Sequence, residues 1–206
     1  MTTFYIVRHG QSEGNMQDVV QGHTETHLTT KGKEQAKDLA IKLKDKNFDA
    51  IYSSSSLRAK ETAGIIASII NVSVNTSVLL KERTQGKFEG MKTDDFLNLY
   101  TGWDTLSHEE KLAHKFHETQ ESFYDAMDRF VPFLKEVAKK HQDQTVLIVT
   151  HGGIIRGFLI TKRYGDFDSI GGIENCGYIQ VNYDNKEFRI KKTYGLKTWN
   201  KTVNKN

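Results

Sequence analysis

Two short apolar runs, each closed by a histidine and a glycine, constrain this chain more than any other feature. Phe4-Tyr5-Ile6-Val7 leads into Arg8-His9-Gly10-Gln11-Ser12, and Thr145-Val146-Leu147-Ile148-Val149-Thr150 leads into His151-Gly152-Gly153. Both runs are continuously apolar and β-branched, the pattern of strands buried on both faces. A strand that stops at a cation, an imidazole and a glycine delivers polar groups to its carboxyl end. In an open α/β sheet, that is where the loops converge on a ligand. If the two strands are parallel neighbours, His9 and His151 meet at one sheet edge. Gly10 allows the sharp turn, while Gln11 and Ser12 offer donors to an anion.

Composition narrows the setting. A chain of 206 residues reads as one domain spanning 1–206 and buries roughly 70% of its unfolded surface, so its core needs no staples. The lone cysteine, Cys176, excludes an internal disulfide and fits a reducing cytoplasm. A formal charge of +3 without a lysine-arginine block argues against nucleic acid as partner. No apolar run approaches the ~20 residues of a membrane span. The first strand begins within three residues of Met1, which argues against a signal peptide. Oligomeric state is left open.

Residues 16–27 read as a polar loop over the site, with Gln21-Gly22-His23-Thr24 as its substrate-touching part. His23 and His27 stand four apart, but without a helix beneath them they read as solvated loop histidines rather than metal ligands. A helix opens at Thr29-Thr30-Lys31-Gly32 and carries Ala36, Leu39, Ala40 and Leu43 on one face. A second strand over 48–53 runs into four serines and a helix to about residue 70. A serine is expected to cap that helix, and Arg58 sits in its first turn, where a guanidinium fork can reach a phosphate. Alone, Arg58 would also read as a surface arginine. A third strand over 74–80 ends near Glu82. A carboxyl group there could protonate a departing alkoxide, provided its surroundings keep it protonated. Across 91–119, Phe96, Leu97, Tyr100, Trp103, Leu106, Leu112 and Phe116 are spaced helically. They predict an amphipathic helical pair that lies over the sheet edge as a lid. A long helix over 120–140 should kink at Pro132. Gly152 opens another helix, whose first N–H can face a phosphate. A glycine-containing lead-in over 171–177 is followed by strands over 178–183 and 188–193, and a basic, polar tail from Lys197.

Several of these stretches share one pattern. Arg8-His9-Gly10-Gln11-Ser12-Glu13-Gly14-Asn15 matches R-H-G-[EQ]-[ST]-x-x-N, and residues 28–36 match L-T-x-x-G-x-x-Q-A throughout. Arg58-Ala59-Lys60-Glu61-Thr62-Ala63 matches the R-A-x-x-T-A end of a third motif, with one fewer residue before the arginine. Leu80, Glu82, Gly86, Glu89 and Gly90 reproduce L-x-E-x-x-x-G-x-x-E-G. With His151-Gly152 in addition, the chain resembles the histidine phosphatase, or phosphoglycerate mutase-like, superfamily over about residues 3–183.

The resemblance implies an α/β fold: a three-layer α/β/α sandwich around a mostly parallel sheet. It implies that His9 takes the phosphoryl group, that Arg8, Arg58 and His151 hold its oxygens with help from Asn15, and that Glu82 protonates the leaving group. Ser12, Gln21, Gly22 and Gly152 are candidate substrate contacts. Glu89 is expected to pair with a cation or cap the next element. No metal site and no cofactor are expected. Mutases of the family carry E-R-H-Y-G after the third strand and paired arginines in the insertion. Here Glu82-Arg83-Thr84-Gln85-Gly86 lacks the tyrosine, and 91–119 contains no arginine pair. The reading is therefore a phosphatase acting on a small phosphorylated metabolite. A cofactor-dependent phosphoglycerate mutase is the runner-up, and a non-catalytic phosphoester-binding module the remote alternative.

Overall fold

The two histidine-ended runs do become neighbouring strands. In the computed structural model, which describes residues 1–198, β1 (Thr2–Arg8) and β4 (Thr145–Thr150) pair in parallel. Val7 lies opposite Val149 and Arg8 opposite Thr150. Beyond β4 lie β2 (Ala50–Ser54) and β3 (Val74–Ser77), both parallel to it. On the other side of β1, β5 (Ile170–Tyr183) pairs antiparallel to β1, and β6 (Phe188–Thr198) pairs antiparallel to β5. The sheet order is β3-β2-β4-β1-β5-β6, so the parallel half carries both histidines in its interior.

The two-residue alternation of each central strand sorts its side chains into two cores. Phe4, Ile6, Val146 and Ile148 face a layer that includes α6 (Phe123–Lys140) and α7 (Gly152–Thr161), with Phe130, Leu134 and Phe158 fully buried there. Tyr5, Val7, Leu147 and Val149 face α2 (Thr30–Leu43) and α3 (Leu57–Ile70), against Leu39, Leu43 and Ile66. Each such Leu, Ile or Phe contributes about 1.5–3 kcal/mol by leaving water. Helices on both faces complete the three layers. Among the described residues, no helix is long and apolar enough to cross a membrane.

Several expectations are corrected. The third strand stops at Ser77, and residues Val78–Leu80 form a 3-10 turn. As the edge strand, β3 has ladder partners on one side only. The turn buries Leu80 completely while leaving Val78 66% exposed, a split that a continued strand would not give to residues two apart, which share one face. The closing strands are longer than expected: β5 takes in the glycine-containing lead-in by way of bulges between Ile170/Gly172 and Ile173/Tyr178. Lys197 and Thr198 belong to β6, and the rest of the basic tail lies outside the described residues. The insertion is less regular than a helical pair. It comprises α4 (Thr93–Leu97), α5 (His108–Ala113) and intervening 3-10 turns around an aromatic cluster, in which Tyr100 packs edge-on to Trp103 and Phe116 at 4.7 Å. α6 continues through Pro132.

Candidate active site

In-register pairing of β1 with β4 places the next residue of each strand side by side. His9 N–H donates to Thr150 O (3.0 Å), and the His9 and His151 rings meet edge-on at 5.2 Å. Both are buried, His9 to 3% exposure and His151 to none. In front of them opens a cavity of about 390 Å³, walled by Arg8, His9, Asn15, Gln21, Gly22, Arg58, Glu82 and Gly152, among others. Eight of the ten residues expected at the site therefore share one wall. Ser12 and His151 do not line it; they stand behind it. Ser12 caps α1 (Glu13–Met16): its hydroxyl accepts Asn15 N–H and donates to Gln21 Oε1 (2.8 Å). It braces two wall residues instead of meeting a ligand.

Hydrogen bonding fixes the His9 tautomer. Nδ1 lies 2.7 Å from Gly10 O, and a carbonyl can only accept, so Nδ1 carries the proton. Nε2 is thus left with its lone pair, and Arg58 Nε donates to it at 3.3 Å. Burial first, then the charges of Arg58 and Arg8, hold the His9 imidazolium well below the ordinary imidazole range, only partly offset by the Gly10 bond. His151 is shifted the same way by burial, by Arg58 and by His9. Both rings are therefore neutral at pH 7, and a neutral Nε2 flanked by cations is the form a nucleophile toward phosphorus needs.

A stability consequence follows. Since both folded-state pKa values lie below the unfolded value near 6.5, the unfolded chain binds protons that the folded chain refuses once the pH drops below about 6.5. Stability should fall with acid there, by up to about 1.4 kcal/mol per pH unit for each ring. Urea midpoints measured from pH 7.5 to 5 should fall steadily, and His151→Gln should make that fall shallower. A midpoint independent of pH in this window would contradict the assignment.

Arg58, far from being a surface arginine, is 1% exposed. Nη1 and Nη2 hold Thr24 O and Gly22 O, each at 2.8 Å, and so fasten the 22–24 loop over the site. Each Nη keeps one further N–H. The expected serine cap is not made: Ser56 occupies the cap position of α3, yet its buried hydroxyl has no partner among the described residues. Arg8 Nη1 donates to Ile173 O (2.6 Å), while its Nε and His151 Nδ1 are likewise buried without a partner among the described residues. Buried polar atoms of this kind are costly unless a ligand meets them.

Glu82 reaches the cavity from the turn after β3. Its carboxylate accepts Gly153 N–H (2.8 Å) and Arg83 N–H (2.8 Å). The glycine pair allows this approach: a Cβ on Gly153 would sit 2.5 Å from Glu82 Oε1, and one on Gly152 would sit 3.3 Å from Arg8 Nε. Glu89 departs from expectation: among the described residues it forms no ion pair, and the cap position of the next helix, α4, belongs to Lys92. It accepts His23 N–H, Thr24 Oγ1–H, Thr84 Oγ1–H and Gln85 N–H, and so ties the 22–24 loop to the 84–85 turn. His23 Nε2 donates to Glu82 O (2.8 Å), and His27 meets Glu61 (2.6 Å). Among the described residues, no group of three or more His, Cys, Asp or Glu is placed to hold a metal.

Sequence reasoning missed residues whose role depends on distant strands and helices. Asn175 Nδ2 donates to both His9 O and Asn15 Oδ1 (3.1 Å each), and Cys176 N–H also reaches His9 O. Arg156 and Lys197 line the cavity with Gly171 and Gly172. Arg156 lies one helical turn beyond Gly152, a spacing that places both on one face of α7, but no motif flags it. The wall includes no residue of 91–119 among those described; that insertion approaches the site through Tyr100, which lies within electrostatic reach of Arg156, a wall residue, and of Arg83.

Comparison with known proteins gives the same picture. The family model described as histidine phosphatase superfamily (branch 1) matches residues 4–194. A metal-independent phosphoserine phosphatase of Arabidopsis thaliana is 34% identical over 92% of this chain and 80% of its own. Phosphoglycerate mutase-like protein 4 of the same plant is 32% identical over 77% of this chain and 70% of its own. The crystal structure of a phosphoserine phosphatase from Entamoeba histolytica, in complex with 3-phosphoglyceric acid, superposes with a TM-score of 0.78 at 26% identity, covering 94% of this chain and 97% of that one. By sequence, by fold and by the wall of its cavity, this chain belongs to the histidine phosphatase superfamily and is a phosphoric monoester hydrolase of that type.

Proposed function

We infer that the chain, as one domain, hydrolyses phosphate monoesters of small metabolites through a phosphohistidine on His9, without a metal. The observation that carries the reading is the neutral, Nδ1-protonated His9 on a cavity wall shared with Arg8 and Arg58, its Nε2 lone pair held by Arg58 Nε–H until phosphorus displaces that bond. Nε2 attacks phosphorus as the bond to the ester oxygen breaks, and Glu82 gives its proton to that oxygen. Glu82 carboxylate then takes a proton from the water that attacks the phosphohistidine, which returns His9 and releases phosphate. Arg8 Nε, the remaining Arg58 N–H groups, Asn15 and Gly152 N–H are the donors available to the equatorial oxygens, and His151 adds Nδ1–H from behind the wall when Ser54 Oγ–H donates to its Nε2. Cations and oriented dipoles of this kind stabilise a transferring phosphoryl group as it spreads charge over those oxygens.

Arg156 and Lys197 keep the mutase reading alive, because they supply the cationic anchor for a second acidic group that the insertion lacks. They also suit a phosphatase whose substrate bears a carboxylate, the kind of compound named for the Arabidopsis and Entamoeba relatives. A screen of O-phosphoserine, glycerate phosphates, sugar phosphates and nucleotides, with mutase activity assayed in parallel, decides between them. Release of inorganic phosphate far faster than phosphoryl relocation supports the phosphatase, and the reverse ratio supports the mutase. Inactivity toward every ester, with intact binding, would leave only a binding module. Turnover should survive excess EDTA and be inhibited by vanadate; loss to chelator, restored by a divalent ion, would overturn the metal-free reading.

A further inference from the structure

We propose that Arg129, on α6, is a positioning residue that sets the carboxyl group of Glu82 for proton transfer, acting with Glu121 as a clamp on the turn that bears it. The inference rests on the reading of Glu82 as the acid. All five N–H groups of the guanidinium are engaged. Nη1 donates to Leu79 O and Lys81 O (2.8 Å each), and Nη2 to Glu82 O (3.0 Å). Nε and Nη2 hold the two oxygens of Glu121 at 3.0 and 2.8 Å. Glu121 extends the clamp along the chain: its carboxylate accepts Thr84 N–H, its N–H donates to Thr84 O, and its carbonyl accepts Arg83 Nη1. The main chain of residues 79–84 is thus sewn to the start of α6 around Glu82.

The turn needs such a clamp. β3 ends at Ser77, so the carbonyls of Leu79, Lys81 and Glu82 have no ladder to enter, and one planar fork collects all three. Glu82 itself is wedged against α7, with Gly153 N–H on one oxygen and no room for a side chain at position 153. Its proton must arrive at an ester oxygen whose place is set by His9, on another strand. The clamp is what relates the two. Arg129 and Glu121 are 17% and 22% exposed, and neither lines the cavity, so the pair acts through Glu82 and not on the ester.

Arg129→Lys separates geometry from charge. An ammonium keeps the positive charge felt by His151 but cannot hold three carbonyls and a carboxylate in one plane. Misplacing a catalytic group by about 1 Å can cost on the order of 10²-fold. The experiment compares an alkyl phosphate with p-nitrophenyl phosphate, whose leaving group hardly needs a proton, in wild type, Arg129→Lys, Glu82→Gln and the double variant. Arg129→Lys should slow the alkyl ester by roughly 10–100-fold while lowering turnover of the activated ester far less. In the Glu82→Gln background it should add almost nothing to the alkyl loss, because groups that act as one unit are not additive.

Equal slowing of both esters, or a full multiplicative loss in the double variant, overturns the proposal and leaves Arg129 a structural residue. If Glu82→Gln itself shows no difference between esters, the acid reading fails, and this inference with it. If Glu82→Gln shows the difference and Arg129→Lys does not, this inference alone fails. Should Arg129→Lys not fold, judged by circular dichroism, Glu121→Gln serves instead. It keeps the shape of the clamp but weakens its grip on Arg129, and must show the same dependence on leaving group to a smaller extent.

Discussion

His9→Ala should leave a folded protein that neither turns over substrate nor retains phosphate. Brief incubation with a labelled ester followed by an alkaline quench should leave acid-labile label on the wild-type chain and none on the variant. Loss of a covalent nucleophile in an enzyme that acts through one is felt on the order of 10⁴–10⁶ in kcat. The expectation rests on three local facts: Nδ1 is protonated against Gly10 O, Nε2 holds a lone pair, and burial with Arg58 and Arg8 keeps the ring neutral. The neighbouring imidazole provides an internal control. His151 lies 5.2 Å away and is equally neutral, yet it stands behind the cavity wall with its Nε2 against Ser54 Oγ at 2.8 Å. Label that persisted in His9→Ala, or moved to His151, would reverse the two roles.

The second large effect concerns Glu82. A general acid typically contributes 10²–10⁴-fold, and most when the leaving group is a poor one. Glu82→Gln should reduce turnover of an alkyl phosphate by about that factor while sparing p-nitrophenyl phosphate. The amide is close in size to the carboxyl group and can still accept from Gly153 N–H, so the first turn of α7 should hold its place. Glu89 provides the contrast. With four donors on its carboxylate it ties loops together, so Glu89→Gln should lower stability and slow both esters alike. Equal slowing of both esters by Glu82→Gln would make Glu82 a residue that only orders the site, and the acid would then be sought at His151 first.

What the sequence determined by itself is what depends on neighbours along the chain. Continuous apolar runs mark β1 and β4 because a strand buried on two faces has no polar side to display. Leu39 and Leu43, or Phe130 and Leu134, mark helices because four-residue spacing returns a side chain to the same face. The motif residues cluster at strand ends and helix starts, so Arg8, His9, Arg58, Glu82 and Gly152 could be named before any fold was in hand. What only the tertiary structure decided is what depends on partners far away in sequence. β3 ends early because the sheet gives it one neighbour, and β5 begins early because β6 pairs with residues from Ile170 onward across bulges. Ser12 and Glu89 share motifs with cavity residues, yet they brace loops, because motif membership records position in the chain and not which way a side chain turns. Asn175, Arg156 and Arg129 carry no local signal, since each is defined by a carbonyl or a cavity more than ten residues away. The neutrality of His9 is of the same kind: its neighbours in sequence supply Arg8, but the burial and the Arg58 charge that set its proton come from the packed fold.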